Sequence, residues 1–451
     1  MRFILIVAGI FTLTCSAHAQ SLDQRAESTV HRALDAVSKL QPYGGWGRAY
    51  TKDNQLMWGE YRVVPSTWIT VQPPATPETA NTFLRAAQVL HENKYRECAR
   101  CAKDALLKVQ TPDGGFPHEG DPALKNHPTA TFDDDTTTAA LRFLMEWAHS
   151  TQAPEDLEEV KRVGDFILKA QYPDSGGWPQ AYPPPKDHYA RCITFNDNNI
   201  NRILDALLRL YDLTNDPRYL EAAKKGGECI LRLQGGPGEE IWAQQYDPET
   251  LKPAWARKFE PPGYSPAESI GVCDTLIDLY AATGEERFLI PLPNAFAWYD
   301  AHRLPNGKFA RLYEPGTQRP VYGRRDKAEP VYDFANACSG YSWQGEWYPH
   351  AAKKALETIQ TLGREGWMKE KNTPKPPRSP QSMESGIQKC CQSLSEEGYW
   401  LSSPGNIEKE DLQQHNLPET TPIIEMGRFN ENARLLLDYL DAVKNTPVKS
   451  P

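Results

Sequence analysis

Consecutive carboxylates stand at the head of an apolar, helix-like run. Asp133, Asp134 and Asp135 follow Phe132 and precede a threonine-rich start to that run. A single aspartate would cap a helix, because carboxylates favour the positive N-terminal end. Three adjacent carboxylates repel one another unless a cation lies among them. The stretch therefore predicts either an acidic helix cap or a site for a hard cation.

A second stretch repeats this arrangement further along the chain. Thr194-Phe195-Asn196-Asp197 also precedes an apolar run, so both stretches share a Thr-Phe-Asx-Asp pattern. Two such stretches at the same place relative to a helix favour the cation site, with Asp197 as a further candidate ligand. Asp247, in a later loop, is a weaker candidate.

Three arginines lie in loop-like segments downstream of these aspartates. Arg257 and Arg311 each follow an alanine and precede a glutamate by three residues, and Arg325 lies in a Gly-Arg-Arg-Asp turn. Singly, each arginine suits a surface ion pair. Together they suit the bidentate recognition of carboxylates. Clustered aspartates and arginines indicate a ligand that is itself polyanionic.

An internal repeat supplies aromatic residues in glycine-rich loops. The anchors Trp46, Phe116, Trp178 and Trp242 recur about every 60 to 70 residues, three of them directly after Gly-Gly. Loop Trp and Tyr side chains suit stacking on sugar faces, which makes Trp178 and Tyr182 candidate substrate-binding residues. The alternative is that these rings plug one end of the fold.

The segments between the anchors carry pairs of helical patterns, among them residues 217–233 and 286–302, and no sustained alternation of strand type. Residues 369–382, rich in Pro, Lys and Ser, predict an exposed linker or loop. Repeated helical hairpins joined by extended loops predict an all-α fold, an α/α toroid whose long loops form a cleft. An α-solenoid is the alternative. We expect a signal peptide at residues 1–19, a toroidal catalytic domain at 20–348 and a C-terminal extension at 349–451 that packs on the toroid.

The N-terminal segment and the net charge of the chain limit its possible locations and partners. The basic start, the apolar run from Phe3 to Leu13 and Ala17-His18-Ala19 predict a signal peptide, and therefore a secreted or periplasmic protein. No other stretch is apolar enough to span a membrane. A formal net charge of −9 argues against nucleic acid and anionic membranes as partners. Eight cysteines remain after the signal peptide, and a local Cys98–Cys101 disulfide or simple burial is expected. We expect a monomer.

Several of these motifs resemble the pectate lyases of polysaccharide lyase family 10. The resemblance covers about residues 116–347, with these motifs: Gly176-Gly177-Trp178-Pro179-Gln180, Thr194-Phe195-Asn196-Asp197, Arg257-Lys258-Phe259-Glu260, Arg311-Leu312-Tyr313-Glu314 and Gly323-Arg324-Arg325-Asp326. It implies an α/α toroid that cleaves polygalacturonate by calcium-assisted β-elimination. By motif, Asp133, Asp134 and Asp197 would bind calcium (Ca²⁺), Arg257 would be the base, and Arg311 and Arg325 would bind substrate carboxylates.

The chain departs from the family pattern in two places. The family has Asp-Asn where this chain has three aspartates, and Gly-Arg-Asp where Arg324 intervenes. Two other functions are compatible with the residues: an inverting glycoside hydrolase with Asp133 and Asp197 as acid and base, and a non-catalytic uronan-binding protein. The products separate them, because a lyase leaves an unsaturated, ultraviolet-absorbing end.

Overall fold

The structure is a computed structural model that describes residues 20–60, 62–124, 127–374 and 376–445. The expected signal peptide at residues 1–19 lies outside the described residues. The helices are α1 (Leu22–Ser38), α2 (Thr76–Leu90), α3 (Asn93–Val109), α4 (Thr136–Thr151), α5 (Pro154–Ala170), α6 (Asn199–Thr214), α7 (Pro217–Leu233), α8 (Pro266–Thr283), α9 (Leu292–Ala301), α10 (His350–Asn372), α11 (Pro380–Ser393), α12 (Lys409–Gln414) and α13 (Met426–Asn445).

The strands have two or three residues each and lie in the loops between helices. They are β1 (Ala49–Thr51), β2 (Met57–Trp58), β3 (Val63–Val64), β4 (Ile69–Thr70), β5 (Glu119–Gly120), β6 (Ala130–Thr131), β7 (Ala181–Tyr182), β8 (Ile193–Thr194), β9 (Gln245–Tyr246), β10 (Phe309–Ala310), β11 (Leu312–Tyr313), β12 (Pro320–Val321), β13 (Gln344–Gly345), β14 (Leu401–Ser402) and β15 (Ile423–Glu425). The antiparallel pairs β4–β5, β6–β7 and β8–β9 each join the loops of neighbouring repeats.

The helices form an α/α toroid, as the sequence predicts. The inner helices α2, α4, α6 and α8 contact one another in turn, and α3, α5 and α7 form an outer layer against them. The sequence dictates this pairing locally: in α6, Ile200, Ile203 and Leu207 are buried at helical spacing. The outer helix α7 then begins at Pro217, with Asp216 as its N-cap.

The C-terminal segment packs against the helices of the toroid. Helix α13 packs on α1 and α2, helix α11 packs on α1 and α13, and helix α10 packs on α8. Strand β15 pairs with β1, in a five-stranded sheet of order β14-β15-β1-β2-β3. The segment after residue 348 therefore contacts both the first and the fourth helical hairpins. Among the described residues, no helix is both long and apolar enough to cross a membrane.

The aromatic anchors of the repeat are structural. All four side chains are buried, and each indole nitrogen donates to a helix carbonyl: Trp46 to Val37 (3.1 Å), Trp178 to Ile167 (2.8 Å) and Trp242 to Ile230 (2.8 Å). The anchor's own backbone N–H donates to a hydroxyl in the first turn of the next inner helix: Trp46 to Thr76 (2.9 Å), Phe116 to Thr137 (3.2 Å) and Trp242 to Ser269 (2.9 Å). These bonds fix each loop against two helices.

A fifth copy of the anchor, which the sequence patterns did not reveal, lies at Phe309. The backbone N–H of Ala310 donates to the Tyr313 hydroxyl at 3.2 Å. The same bond joins Gly47 to Tyr50 (2.7 Å) and Ala243 to Tyr246 (2.6 Å) in the first and fourth copies. We call the residue two places after each anchor the display position. Its five occupants are Arg48, His118, Gln180, Gln244 and Arg311.

The described cysteines are all free thiols, so the expected disulfide between Cys98 and Cys101 is not formed. Both residues lie on α3 and are half-buried. Burial raises the pKa of the Cys98 thiol to about 11, which keeps the thiol protonated at neutral pH. Burial, the alternative that the sequence allowed, describes their role.

Candidate active site

Two turns of the same conformation hold the candidate metal ligands. Each begins as a short 3₁₀ segment, Asp133–Asp135 before α4 and Asn196–Asn198 before α6. Each then places two successive residues in the left-handed region, with φ of 48° and 66° at Asp134 and Asp135, and 53° and 58° at Asp197 and Asn198. Asp and Asn tolerate this region better than other non-glycine residues. The shared Thr-Phe-Asx-Asp pattern therefore encodes one turn used twice.

These turns bring three carboxylates together at the inner-helix ends. Asp133, Asp134 and Asp197 each offer an oxygen, and the three oxygens lie within 4.8 Å of one another. Burial and the negative charge of Asp134 raise the pKa of Asp133 to about 7, and the same two causes raise the pKa of Asp197. Oxygen ligands that disfavour one another's ionisation are suited to a hard cation. The donor set fits calcium on its chemistry.

The third consecutive aspartate is not part of this cluster. Asp135 is buried, and its carboxylate accepts from the Thr138 hydroxyl at 2.6 Å and from Arg142 Nη1 at 2.9 Å. The Nε of Arg202 lies 3.8 Å away from it. Two arginines thus offset the charge of Asp135, which explains how three carboxylates can be adjacent with only two in the cluster.

Arg257 is held by a buried glutamate. Its Nε and Nη2 donate to the two carboxylate oxygens of Glu260, each at 2.7 Å, and its backbone N–H donates to the same group at 3.2 Å. Glu260 is 2% exposed and also accepts from the Tyr341 hydroxyl (2.8 Å) and Gln244 Nε2 (3.0 Å). The Glu260 carboxylate raises the pKa of Arg257 well above its ordinary value. The guanidinium is therefore fixed in orientation and strongly protonated.

Arg311 is paired with a second buried glutamate. Its Nη2 donates to Glu268 at 2.7 Å, and its guanidinium lies over the rings of Tyr341 (4.8 Å) and Trp347 (5.7 Å). Burial raises the pKa of Glu268 to about 7, although the charge of Arg311 acts in the opposite direction. In the described structure the Arg311 Nε is buried without a hydrogen-bond partner. The side chain is 15% exposed, so part of the guanidinium faces the solvent beside these rings.

The Gly-Arg-Arg-Asp turn separates the roles of its two arginines. Arg324 pairs with Asp326 through Nε (3.0 Å) and Nη2 (2.7 Å). Arg325 is exposed and lies over the Phe259 ring at 4.5 Å. No carboxylate pairs with Arg325 in the part of the chain that the structure describes. Arg325, rather than Arg324, is therefore available to an acidic ligand.

The arginines lie beside the aspartate turns, because Gln244 Nε2 donates both to Asn196 (2.9 Å) and to Glu260 (3.0 Å), the partner of Arg257. Burial and the charge of Asp134 raise the pKa of Asp197, and the positive charges of Arg311 and Arg257 oppose that shift. Tyr189 lies between the two groups: burial and the charge of Asp133 raise its pKa, and the charge of Arg257 lowers it. Phe259 contacts both Arg257 and Arg325. The structure thus assembles an acidic cluster with three arginines alongside it.

Three candidate site residues lie elsewhere. Trp178 is 1% exposed, and its indole N–H donates to the Ile167 carbonyl. The prediction that Trp178 stacks on a sugar is therefore wrong. Tyr182 packs edge-on against Phe166, with Lys169 over its ring, both from α5. Asp247 caps a turn by accepting from the backbone of Thr250 at 2.8 Å. None of the three is joined to the aspartate cluster by a contact among the described residues.

Several residues of the site were not identified from the sequence. Glu260 had a signal, because it follows Arg257 by three residues in a frame repeated at Arg311. Glu268 had none, since an acidic residue in the first turn of α8 is a normal helix feature. Tyr341 and Tyr189 reach the cleft from irregular loops, and Tyr341 is 81 residues from its partner Glu260.

Comparisons with known proteins identify the family of the chain. The sequence model of the pectic acid lyase family matches residues 40–156 and 118–351, more than half of the chain. No curated protein matches the chain at a significant level. Among solved structures, a variant of a family 10 polysaccharide lyase from Cellvibrio cellulosa, in complex with trigalacturonic acid, is 23% identical. It covers 64% of this chain and 98% of its own, with a TM-score of 0.49.

Other solved structures resemble a larger share of the chain at lower identity. A cellobiose 2-epimerase from Bacillus thermoamylovorans is 13% identical, covering 93% of this chain and 98% of its own, with a TM-score of 0.48. A family 76 glycoside hydrolase from Bacteroides thetaiotaomicron has the same identity and coverage, with a TM-score of 0.47. The family match, which spans the aspartate cluster and all three arginines, decides the assignment: the chain belongs to the pectic acid lyase family and is a polysaccharide lyase.

Proposed function

We propose that the protein cleaves polygalacturonate by calcium-assisted β-elimination. The observation that carries this proposal is the arrangement of Asp133, Asp134 and Asp197 within 4.8 Å of one another, with Arg257 and Arg311 close enough to influence Asp197. A hard-cation site beside fixed guanidinium groups suits a substrate that carries a carboxylate on every sugar.

The three aspartates would hold the calcium ion. When bound, calcium shared between the protein and a substrate carboxylate would supply positive charge where negative charge builds during proton removal. Burial and the charge of Asp134 raise the pKa of Asp133, so full ionisation of the cluster is unfavourable unless a cation offsets the charge. The proposal therefore requires that chelation abolish turnover.

The arginines would orient the substrate. The exposed guanidinium of Arg325 and the partly exposed guanidinium of Arg311 can each donate to a uronate carboxylate. The aromatic rings beneath them, Phe259 and Tyr341, limit the directions in which these cations can point. A sugar chain bound in this way would present its C5 proton to a group fixed in the same cleft.

Arg257 is the proposed base at C5. In the elimination, the C5 proton moves to a guanidine nitrogen, the C5–H electron pair forms the C4–C5 double bond, and the C4–O bond breaks. The leaving oxygen then takes a proton from solvent. Arginine is ordinarily always protonated, and Glu260 raises the pKa of Arg257 further. The proposed base must therefore lose its proton after nearby cations reduce the influence of Glu260, which requires an alkaline rate profile.

The geometry disfavours an inverting hydrolase. Such enzymes hold their two carboxyl groups roughly 6.5–9.5 Å apart to admit a water molecule. Oxygens of Asp133 and Asp197 approach within 4.8 Å. The distance is short for a water-separated acid and base, and it suits a shared cation.

One assay tests the proposal. The protein is incubated with polygalacturonate and calcium, and the ultraviolet absorbance of the unsaturated product is followed. The same sample is then treated with a chelator. A calcium-dependent absorbance rise supports the proposal. New reducing ends without absorbance would indicate hydrolysis, and binding without any product would indicate a non-catalytic uronan-binding protein.

A further inference from the structure

The cleft has a second arginine at a display position. Arg48 follows the first anchor, Trp46, as Arg311 follows Phe309, and the same hydroxyl-accepting bond fixes both loops. Burial lowers the pKa of His118, the next display residue, and the positive charge of Arg48 adds to that effect. The repeat therefore places Arg48 in the first loop at the position that Arg311 holds in the fifth.

Arg48 borders a cavity of about 910 Å³ between the first repeat and the C-terminal segment. One wall comes from Arg48, Trp58 and Glu60, and the other from Lys389 and Arg428. The backbone N–H of Met426, at the start of α13, donates to the Arg48 carbonyl at 3.0 Å and holds the walls together. The family match ends at residue 351, so the second wall lies outside it.

The cations of this cavity have spare hydrogen-bonding capacity. Arg428 is exposed and donates from Nη1 to the Ser402 hydroxyl at 3.3 Å. In the described chain, neither Arg48 nor Arg428 forms an ion pair. The cavity also contains Glu60, Glu408, Glu425 and Glu431. The cavity therefore carries charges of both signs. An acidic ligand gains affinity there only if each of its carboxylates binds a guanidinium directly.

Side-chain contacts link one wall of the cavity to the first aspartate turn. Glu60 approaches His118 Nδ1 at 3.6 Å, and the same nitrogen lies 3.0 Å from the Thr136 hydroxyl. Thr136 begins α4 directly after Asp133–Asp135. The cavity wall and the aspartate turn therefore flank His118 on either side.

We propose that this cavity is a remote subsite for acidic sugar units of a long substrate, with Arg48 and Arg428 binding their carboxylates. The inference rests on the proposed function and adds to it: the segment after residue 351 lengthens the binding cleft. Short oligomers fill only the aspartate and arginine region. Longer ones gain additional contacts at Arg48 and Arg428, and the enzyme prefers them for that reason.

The test compares substrates of two lengths. Initial rates are measured with trigalacturonate and with a ten-residue oligogalacturonate for the wild type, Arg428→Ala and Arg48→Ala. The control is Arg209→Ala, which removes an equal charge from an exposed pair with Asp205 on α6. We expect kcat/KM on the long oligomer to fall about tenfold in the first two variants, with the trimer changed less than about twofold and the control unchanged.

Equal losses of kcat/KM on both substrates, or no loss on either, would overturn the subsite. Unchanged melting temperatures of the variants would show that a loss of kcat/KM does not come from misfolding. If the wild type makes no unsaturated product, the proposed function fails separately. Calorimetric binding of the ten-residue oligomer then decides the subsite alone: weaker binding by Arg428→Ala than by Arg209→Ala supports it, and equal binding rejects it.

Discussion

Replacing Glu260 by glutamine tests the central role proposed for Arg257. The change keeps the shape of the side chain and retains an oxygen to accept from Tyr341 and Gln244, but removes the charge that pairs with Arg257. If Arg257 must lose a proton before it can act, removing that charge lowers its pKa. The alkaline rise of kcat/KM should then move to lower pH.

The size of the shift follows from the geometry. Two charge-assisted hydrogen bonds of 2.7 Å tie the guanidinium to Glu260. Hydrogen bonds to charged groups contribute about 1.5–3 kcal/mol. The Arg257 side chain is 43% exposed, so solvent screening reduces this value. A remaining effect of about 1.4 kcal/mol corresponds to about one pH unit.

The assay is the pH profile of unsaturated-product formation at saturating calcium, for the wild type and Glu260→Gln. Glu249→Gln is the matched control, because it neutralises a carboxylate paired with Arg191 outside the cleft. Looser positioning of Arg257 should also lower the plateau rate. A profile that keeps its midpoint while the plateau falls would refute the reasoning, since Glu260 would then position Arg257 without controlling a catalytic proton.

Three other predictions concern the metal cluster, the substrate arginines and the buried anchor. Ionisation of Asp133, whose pKa is raised to about 7, should make the chelated protein less stable as pH rises from about 4 to 7; melting curves of Asp133→Asn should show a smaller loss. Arg325→Ala should raise KM about tenfold without changing the melting temperature, whereas Arg311→Ala should also cost about 3 kcal/mol of stability by leaving Glu268 unpaired, as denaturant titration would show. Trp178→Phe should cost about 1–2 kcal/mol by losing its indole bond and leave KM unchanged; a KM shift above about threefold would restore a substrate role.

The sequence predicted the helical hairpins and the aspartate turns because both depend on local spacing. The predicted helix over residues 217–233 coincides with α7, where a capping aspartate and a proline mark the start. The predicted helix over 286–302 was wrong in part. The structure has a 3₁₀ segment at Glu286–Phe288 and then α9 from Leu292, because Pro291 interrupts the helix.

The errors at the site have a common physical origin. A tryptophan after Gly-Gly has the same local sequence whether its ring faces a ligand or the core, and only the distant Ile167 carbonyl decides for Trp178. Likewise, the partners of Asp135 come from α4 and α6, so its neutralisation is a tertiary effect. Helices α10 and α11 extend into a Lys- and Pro-rich segment, residues 369–382, that composition alone predicted to be a loop.

In each loop, the buried anchor and the display residue two places later have separate roles. The ring and its backbone N–H attach the loop to the helices, while the residue two places later is free of that task. The five display positions hold two arginines, a histidine and two glutamines. A change of substrate preference can therefore arise by exchanging display residues one at a time, because the buried ring and backbone bonds of each anchor attach the loop to the helices.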